Sequence, residues 1–245
     1  MSAAIAPETT PALAPPPIPL CRGLLALLNM LTRCKSGAVR LDGRSAGGIG
    51  TWQGVLRLDG QPFLVLPEAI LTQLEDIGGW ALTFTPAVWS EELSAPTMLP
   101  LAFVLVDLAP AYRNGPNGWR WYPDEERART AINALAAFPA APALVIDGFA
   151  VLAICWQLAE PVPADDRARG LLRALATRFG GSLPEDDPLT ATAPLPGSIV
   201  RNVGTIDIPV VRFVTLDPAQ TTTITDLGAA LADPGVSRRK GATAP

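Results

Sequence analysis

A chain of 245 residues, 49% of them hydrophobic and 17% charged, holds enough apolar material for one large domain with a sizeable core, and its middle is too apolar to be disordered. The formal net charge of −4 excludes polyanion binding by bulk electrostatics, so any contact with nucleic acid has to come from a local patch. The absence of histidine excludes Ser-His-Asp triads, Cys-His pairs, His-ligated zinc and histidine-based nicking chemistry.

Met1–Pro19 is rich in Ala, Pro and Thr, with Pro15-Pro16-Pro17 in a row, and is expected to be an unstructured leader ending near residue 20. Gly23–Cys34 has Leu24, Leu27, Leu28 and Leu31 at helical spacing. Its apolar run is too short to span a bilayer, so no membrane association is expected. Lys35–Gly50 carries Arg40 and Arg44 among glycines and is expected to be a loop. With Arg33, Lys35 and Arg57 it makes Arg22–Arg57 the most basic part of the chain, and a solvated surface is the simpler account of it. Asp59-Gly60 between Thr51–Leu58 and Pro62–Leu66 predicts a β-hairpin. A helix is expected over Glu68–Ile77 and a strand over Trp80–Thr85.

Leu101–Asp107 is an apolar run with no helical stripe, closed by Pro110, and predicts a buried central strand. Asp107 then stands at the strand's exit, where it either caps a turn or takes part in chemistry. Pro110–Tyr122 is expected to be a loop. It interleaves Trp119 and Trp121 with Arg113 and Arg120, a composition that suits either stacking on bases or a folded-back lid. A helix over Asp124–Phe138 is expected to bury Ala131, Ile132, Leu135 and Phe138. Strands over Ala143–Asp147 and Leu152–Leu158 flank a turn at Gly148.

The clearest helix covers Asp165–Phe179. Ala168, Leu171, Leu172, Leu175 and Phe179 face inward, Arg167, Arg169, Arg173 and Arg178 face outward, and Gly180-Gly181 ends it. Pro184–Gly197 is an acidic, Pro-rich loop, Val210–Leu216 a last strand, and Gln220–Pro245 a loose tail. Mixed strands and helices with hairpins imply an α+β fold with a largely antiparallel sheet flanked by helices. The expected organisation is a leader over 1–20, one domain over 21–218 and a tail over 219–245. Cys21, Cys34 and Cys155 are odd in number and match no zinc or redox spacing, which predicts a reduced, cytoplasmic setting.

Several pieces stand in a recognisable order. A strand ends in Val106-Asp107-Leu108-Ala109, and after a helix Leu144-Val145-Ile146-Asp147-Gly148 turns into Leu152-Ala153-Ile154-Cys155-Trp156-Gln157-Leu158. Glu160-Pro161-Val162, a helix, Gly180-Gly181, Asp187-Pro188 and Leu195-Pro196-Gly197-Ser198 follow. From about Trp80 to Pro218 the chain resembles the primase-polymerase domain of RepB-like replication proteins from plasmids and phages, a branch of the archaeo-eukaryotic primase superfamily. The resemblance implies an RRM-like palm. It also implies acids that hold Mg²⁺ or Mn²⁺ for nucleotidyl transfer, with single-stranded DNA or a primer-template as substrate and a replication helicase or other replication protein as partner.

The family's first strand ends in Asp-Leu-Asp, whose acids at i and i+2 share one face and can hold a metal together. Here Asp107 matches the first, Ala109 stands at the second, and Asp187 matches the third acid. The family's Ser-Gly-x-Gly-x-His segment, which helps hold the nucleotide's phosphates, falls on Gly148, Phe149, Ala150, Val151 and Ala153, so its Ser, glycines and His are missing. After Leu-Pro-Gly the family places Asn and a basic residue; Arg201 followed by Asn202 lies near that place, shifted. The expectation is therefore a catalytically impaired primase-polymerase-like domain of a mobile-element replication protein. In it Asp107 and Asp187 are the remaining catalytic and metal residues, and Arg113, Arg120 and Arg201 contact nucleic acid. The alternatives are an active metal-dependent DNA primase or polymerase using a displaced acid such as Asp147 or Asp186, and an unrelated α+β protein-interaction domain.

Overall fold

The structure, a computed structural model, describes residues 20–45, 50–75, 80–109, 111–115, 118–199 and 211–233; for 75, 112–115 and 118–121 it describes the backbone alone. The expected leader, the chain end beyond 233 and Arg201 lie outside the described residues. In chain order the elements are α1 (Leu20–Leu31), β1 (Gly37–Ser45), β2 (Thr51–Leu58), α2 (Glu68–Glu75), β3 (Trp80–Phe84), β4 (Val88–Trp89), β5 (Pro96–Asp107), β6 (Ala111–Gly115) and β7 (Gly118–Tyr122). They continue with α3 (Glu125–Ala136), β8 (Leu144–Asp147), β9 (Val151–Pro163), α4 (Asp166–Phe179), β10 (Ala193–Pro194), β11 (Arg212–Leu216) and α5 (Ile224–Ala232). The fold is α+β, with antiparallel strand pairing throughout and five helices among the described residues. None of those helices is long and apolar enough to cross a membrane.

Nine strands form one sheet in the order β10-β3-β1-β4-β5-β9-β8-β11, with β2 paired on the other edge of β1. The middle of the sheet is β5 against β9, in register from Leu101↔Gln157 to Asp107↔Val151, and β9 against β8, from Leu144↔Cys155 to Asp147↔Leu152. Alternate residues of a strand face opposite ways. Trp156, shared by one face, packs against Phe138 after α3 and Phe179 of α4, at ring separations of 5.6 and 5.5 Å, and donates its indole N–H to the Ala140 carbonyl. That face therefore carries α3 and α4. On the other face Phe213, paired with Ile146, lies so close to Gly23 of α1 that a Cβ there would come within 2.4 Å of its ring. Hence α1 covers the opposite side.

Helix α4 is as expected. Asp165 accepts from the Ala168 N–H as its N-cap, Gly180 ends it at φ +65°, and Ala168, Leu171, Leu172, Leu175 and Phe179 are buried. Five expectations fail. Residues 37–45 form a strand rather than a loop, because Val39 and Leu41 alternate with Arg40 and Asp42 at period two and the glycines do not break it. β2 pairs with β1, not with Pro62–Leu66, which forms no strand; Asp59-Gly60 makes a turn with Gly60 at φ +78°, but the chain leaves the sheet after it. Residues 111–122 form the β6–β7 hairpin rather than a loop. The stretch from 219, expected to be loose, contains α5, capped by Thr223 and buried at Leu227. In α3, Ile132 is exposed rather than buried and Leu135 is half-buried, while Ala131, and Phe138 just after the helix, are buried as expected.

Candidate functional site

Asp107 is the last residue of β5, as the apolar run predicted, and it is exposed. One carboxylate oxygen accepts the Ala109 N–H at 2.8 Å, and Ala109 has left-handed backbone with φ +41°. Asp147 ends β8 in the same way: its Oδ1 accepts the Phe149 N–H at 2.9 Å, and Phe149 has φ +62°. Asp187 accepts the Leu189 N–H at 3.0 Å and caps the short 3-10 turn Pro188–Thr190. All three aspartates thus satisfy the N–H two residues on, the local bond that makes Asp a turn residue.

Their placement separates them. By register Asp107 lies on the face of Val151, and Asp147 on the face of Leu152. Neighbouring residues of β9 face opposite ways, so Asp107 and Asp147 lie on opposite faces of the sheet. Asp187 is held by α4: Arg169 Nε and Nη2 each donate to one of its oxygens at 3.1 Å, a two-point contact. The Ala164 N–H bonds the Thr97 carbonyl, so the first turn of α4 sits beside the start of β5, while its last residue, Phe179, lines the same cavity as Asp107. From Arg169 to Phe179 the helix rises about 15 Å. Arg169 was expected to face solvent; it is three-quarters buried on Asp187 and also donates to the Ala164 carbonyl.

The electrostatics follow. Burial pushes the Asp187 carboxyl up, but the Arg169 hydrogen bond, the Leu189 N–H and the charges of Arg169 and Arg173 outweigh it and hold the group below the usual carboxylate range. The same hydrogen bond raises Arg169. Burial pushes the Cys34 and Cys155 thiols up to about 12, so neither is a nucleophile at neutral pH.

A cavity of about 490 Å³ at the Asp107 end of the sheet is bordered by Val106, Asp107, Asp124, Glu126, Arg127 and Phe179. It opens on the α4 side of Val106, so Asp107, whose register points it the other way, borders it from the strand's end. Asp124 accepts the N–H groups of Glu126 and Arg127 as the cap of α3.

Mg²⁺ or Mn²⁺ does not fit this donor set. Among the described residues no three Asp, Glu or Cys are grouped to hold a metal. The strand stops at Asp107 and position 109 is left-handed, so the i, i+2 geometry that would bring two acids to one face is gone, whatever residue stands at 109. Gly148, which the sequence resemblance matches to the first position of the family's phosphate-holding segment, is buried; a Cβ there would come 2.7 Å from Pro194 Cγ. Arg113 and Arg120 are directly opposite each other in the β6–β7 register. Sequence reasoning missed Arg169, whose signal was the unpaired Asp187 later in the chain.

No protein-family model matches this sequence, and no curated protein matches it. Solved structures do. The archaeo-eukaryotic primase domain of the cyanophage S-2L primase-polymerase matches at TM-score 0.56 and 13% identity, over 87% of this chain and all of that one. The catalytic domain of primase RepB', solved in complex with initiator DNA, matches at 0.52 and 15%, over 85% of this chain and 94% of that one. A longer RepB' primase structure matches at the same values, and this chain spans 62% of its length. The chain has the fold of the RepB-like primase-polymerase domains.

Proposed function

We propose that this chain is a primase-polymerase-like domain of a replication protein, catalytically impaired, that acts by binding single-stranded DNA or by assembling with other replication proteins. The observation that carries the reading is the dispersal of the acids: Asp107, which the sequence resemblance matches to the family's first acid, is followed by Ala109 outside the strand, and Asp187 is bound by Arg169. Two-metal phosphoryl transfer needs charge gathered at one point, and donors of that kind are worth several kcal/mol of barrier in general. The opposed Arg113 and Arg120 on the β6–β7 hairpin, and Arg201, remain the proposed phosphate contacts, and replication of a mobile element in the cytoplasm is the implied setting. Primer synthesis and primer extension with Mn²⁺ and labelled nucleotides test it. The expected result is incorporation no higher than that of Asp107→Ala; incorporation clearly above that variant would establish an active polymerase instead.

A further inference from the structure

At the β2–β1–β3 end of the sheet the helices leave one face open, beyond the buried Ala38 and Trp89. On β1 the odd positions Val39 and Leu41 are buried, together with Leu56 and Leu58 of β2 and Leu82 and Phe84 of β3. The even positions turn the other way, and the register puts them in rows: Ala38 opposite Arg57, Arg40 opposite Val55, Asp42 opposite Gln53 and Thr83, and Arg44 opposite Thr51 and Ala81. Thr51, Gln53, Val55, Arg57 and Arg44 are all exposed. The Arg40 guanidinium lies 4.7 Å over the Trp89 ring, and Trp89 pairs with Ala38 on the same face. A shallow cavity of about 540 Å³ runs across its upper half between Asp42, Arg44, Gln53, Thr83 and Thr192.

Three features of this face point to one kind of occupant. The first is charge. In these rows Arg40, Arg44 and Arg57 outnumber Asp42, with Arg57 also donating to the Glu91 carbonyl at the border of the face, on a chain whose net charge is −4, so the basic character is local. Asp42 lies 4.0 Å from Arg40, a contact too long and exposed to neutralise the patch. The second is spacing. Along the strand direction Arg57, in line with Ala38, is followed by Arg40 after two residues and by Arg44 after four more, about 7 and about 14 Å apart. A row of cations whose gaps are one and two lengths of the same step of about 7 Å follows the backbone of an extended strand and not the grooves of a duplex, because the face is broad and carries no helix or ribbon to insert. The third is the lining. Hydroxyls and an amide lie beside a guanidinium already stacked on an indole, and flat, exposed Val55 offers apolar surface for a base or sugar.

Resting on the reading that the domain binds nucleic acid, we infer that the outer face of β1, β2 and β3 is the track for a single-stranded nucleic acid, with Arg57 and Arg40 on neighbouring phosphates and Arg44 on one further along the same backbone. Pro194 of β10, paired with Thr83 at the edge of this face, abuts Gly148. The track therefore leads toward the β8–β9 turn, where the family's phosphate-holding segment would lie.

The test is fluorescence anisotropy of the full chain with a labelled oligothymidylate from 50 to 200 mM salt. The three phosphate contacts of this face contribute about −2 to the slope of log K against log salt, an affinity loss of about 18-fold over that range, in addition to whatever Arg113, Arg120 and Arg201 contribute. Arg44→Ala with Arg57→Ala removes two of them, which makes the slope less steep by about 1.4 and the loss over that range about 7-fold smaller. Gln53→Glu, which adds a negative charge to the same face and alters no buried group, weakens binding with the slope kept near that of wild type. Arg113→Ala with Arg120→Ala leaves the contribution of Arg44 and Arg57 in place. Wild-type binding with the slope unchanged in the Arg44, Arg57 double variant overturns the track but leaves nucleic-acid binding standing. No binding by wild type at 50 mM salt overturns both. A polyglutamate peptide that binds as tightly as the oligothymidylate, and loses affinity in the same variants, makes the face a dock for an acidic protein and overturns the track as well.

Discussion

Replacing Asp187 by Asn removes the charge that faces Arg169 and keeps an acceptor for the Leu189 N–H. The two side chains are 25% and 24% exposed, so the pair lies between the exposed case, worth about 0.2–1 kcal/mol, and the buried case, where breaking a pair costs about 3–5 kcal/mol. A loss of about 1.5 kcal/mol is expected, which lowers the melting temperature of a domain this size by about 3–6 °C. Urea denaturation at several pH values measures it. The folded carboxyl titrates below its ordinary value, so the wild-type advantage is fully present above about pH 3.9 and closes as pH falls through the lower folded value. The same experiment separates a structural ion pair from a metal ligand. If Asp187→Asn melts with wild type, and Mn²⁺ raises the melting temperature of wild type but not of the variant, Asp187 holds a metal and the account of Arg169 as its partner is refuted.

Ala109 sits at φ +41°, where a Cβ costs about 1–2 kcal/mol, so Ala109→Gly is expected to stabilise the domain by about 1 kcal/mol after glycine's own entropy is counted; a loss of stability in urea would contradict the left-handed turn after β5. Trp156 is fully buried between Phe138 and Phe179 and its N–H is bonded to Ala140. Trp156→Ala is expected to cost about 4 kcal/mol, read as a shift of the urea midpoint, and a cost below 1 kcal/mol would mean that α3 and α4 do not pack on the sheet through this cluster.

The local signals that worked were those with one physical cause. The stripe of α4 and its Gly180 stop, the apolar run of β5 and the exact span of β2 follow from side-chain periodicity and from what a neighbouring residue can or cannot do. The signals that failed depended on what lay across the fold. Asp59-Gly60 makes its turn, but β2 finds a partner in β1, whose alternation is as regular and whose glycines masked it. Ile132 keeps the helical spacing of a core residue, yet α3 has no layer above it at that position.

The sequence by itself determined the buried central strand and that Asp107 ends it, because apolar run length and turn chemistry are local properties, while the palm was implied by the family resemblance. Only the tertiary structure decided what the acids do. Register on β9 sends Asp107 and Asp147 to opposite faces, and α4 brings Arg169 to Asp187 across eighteen residues of chain. Whether charges meet depends on strand pairing and helix packing, and neither is written in the spacing of the residues that carry them.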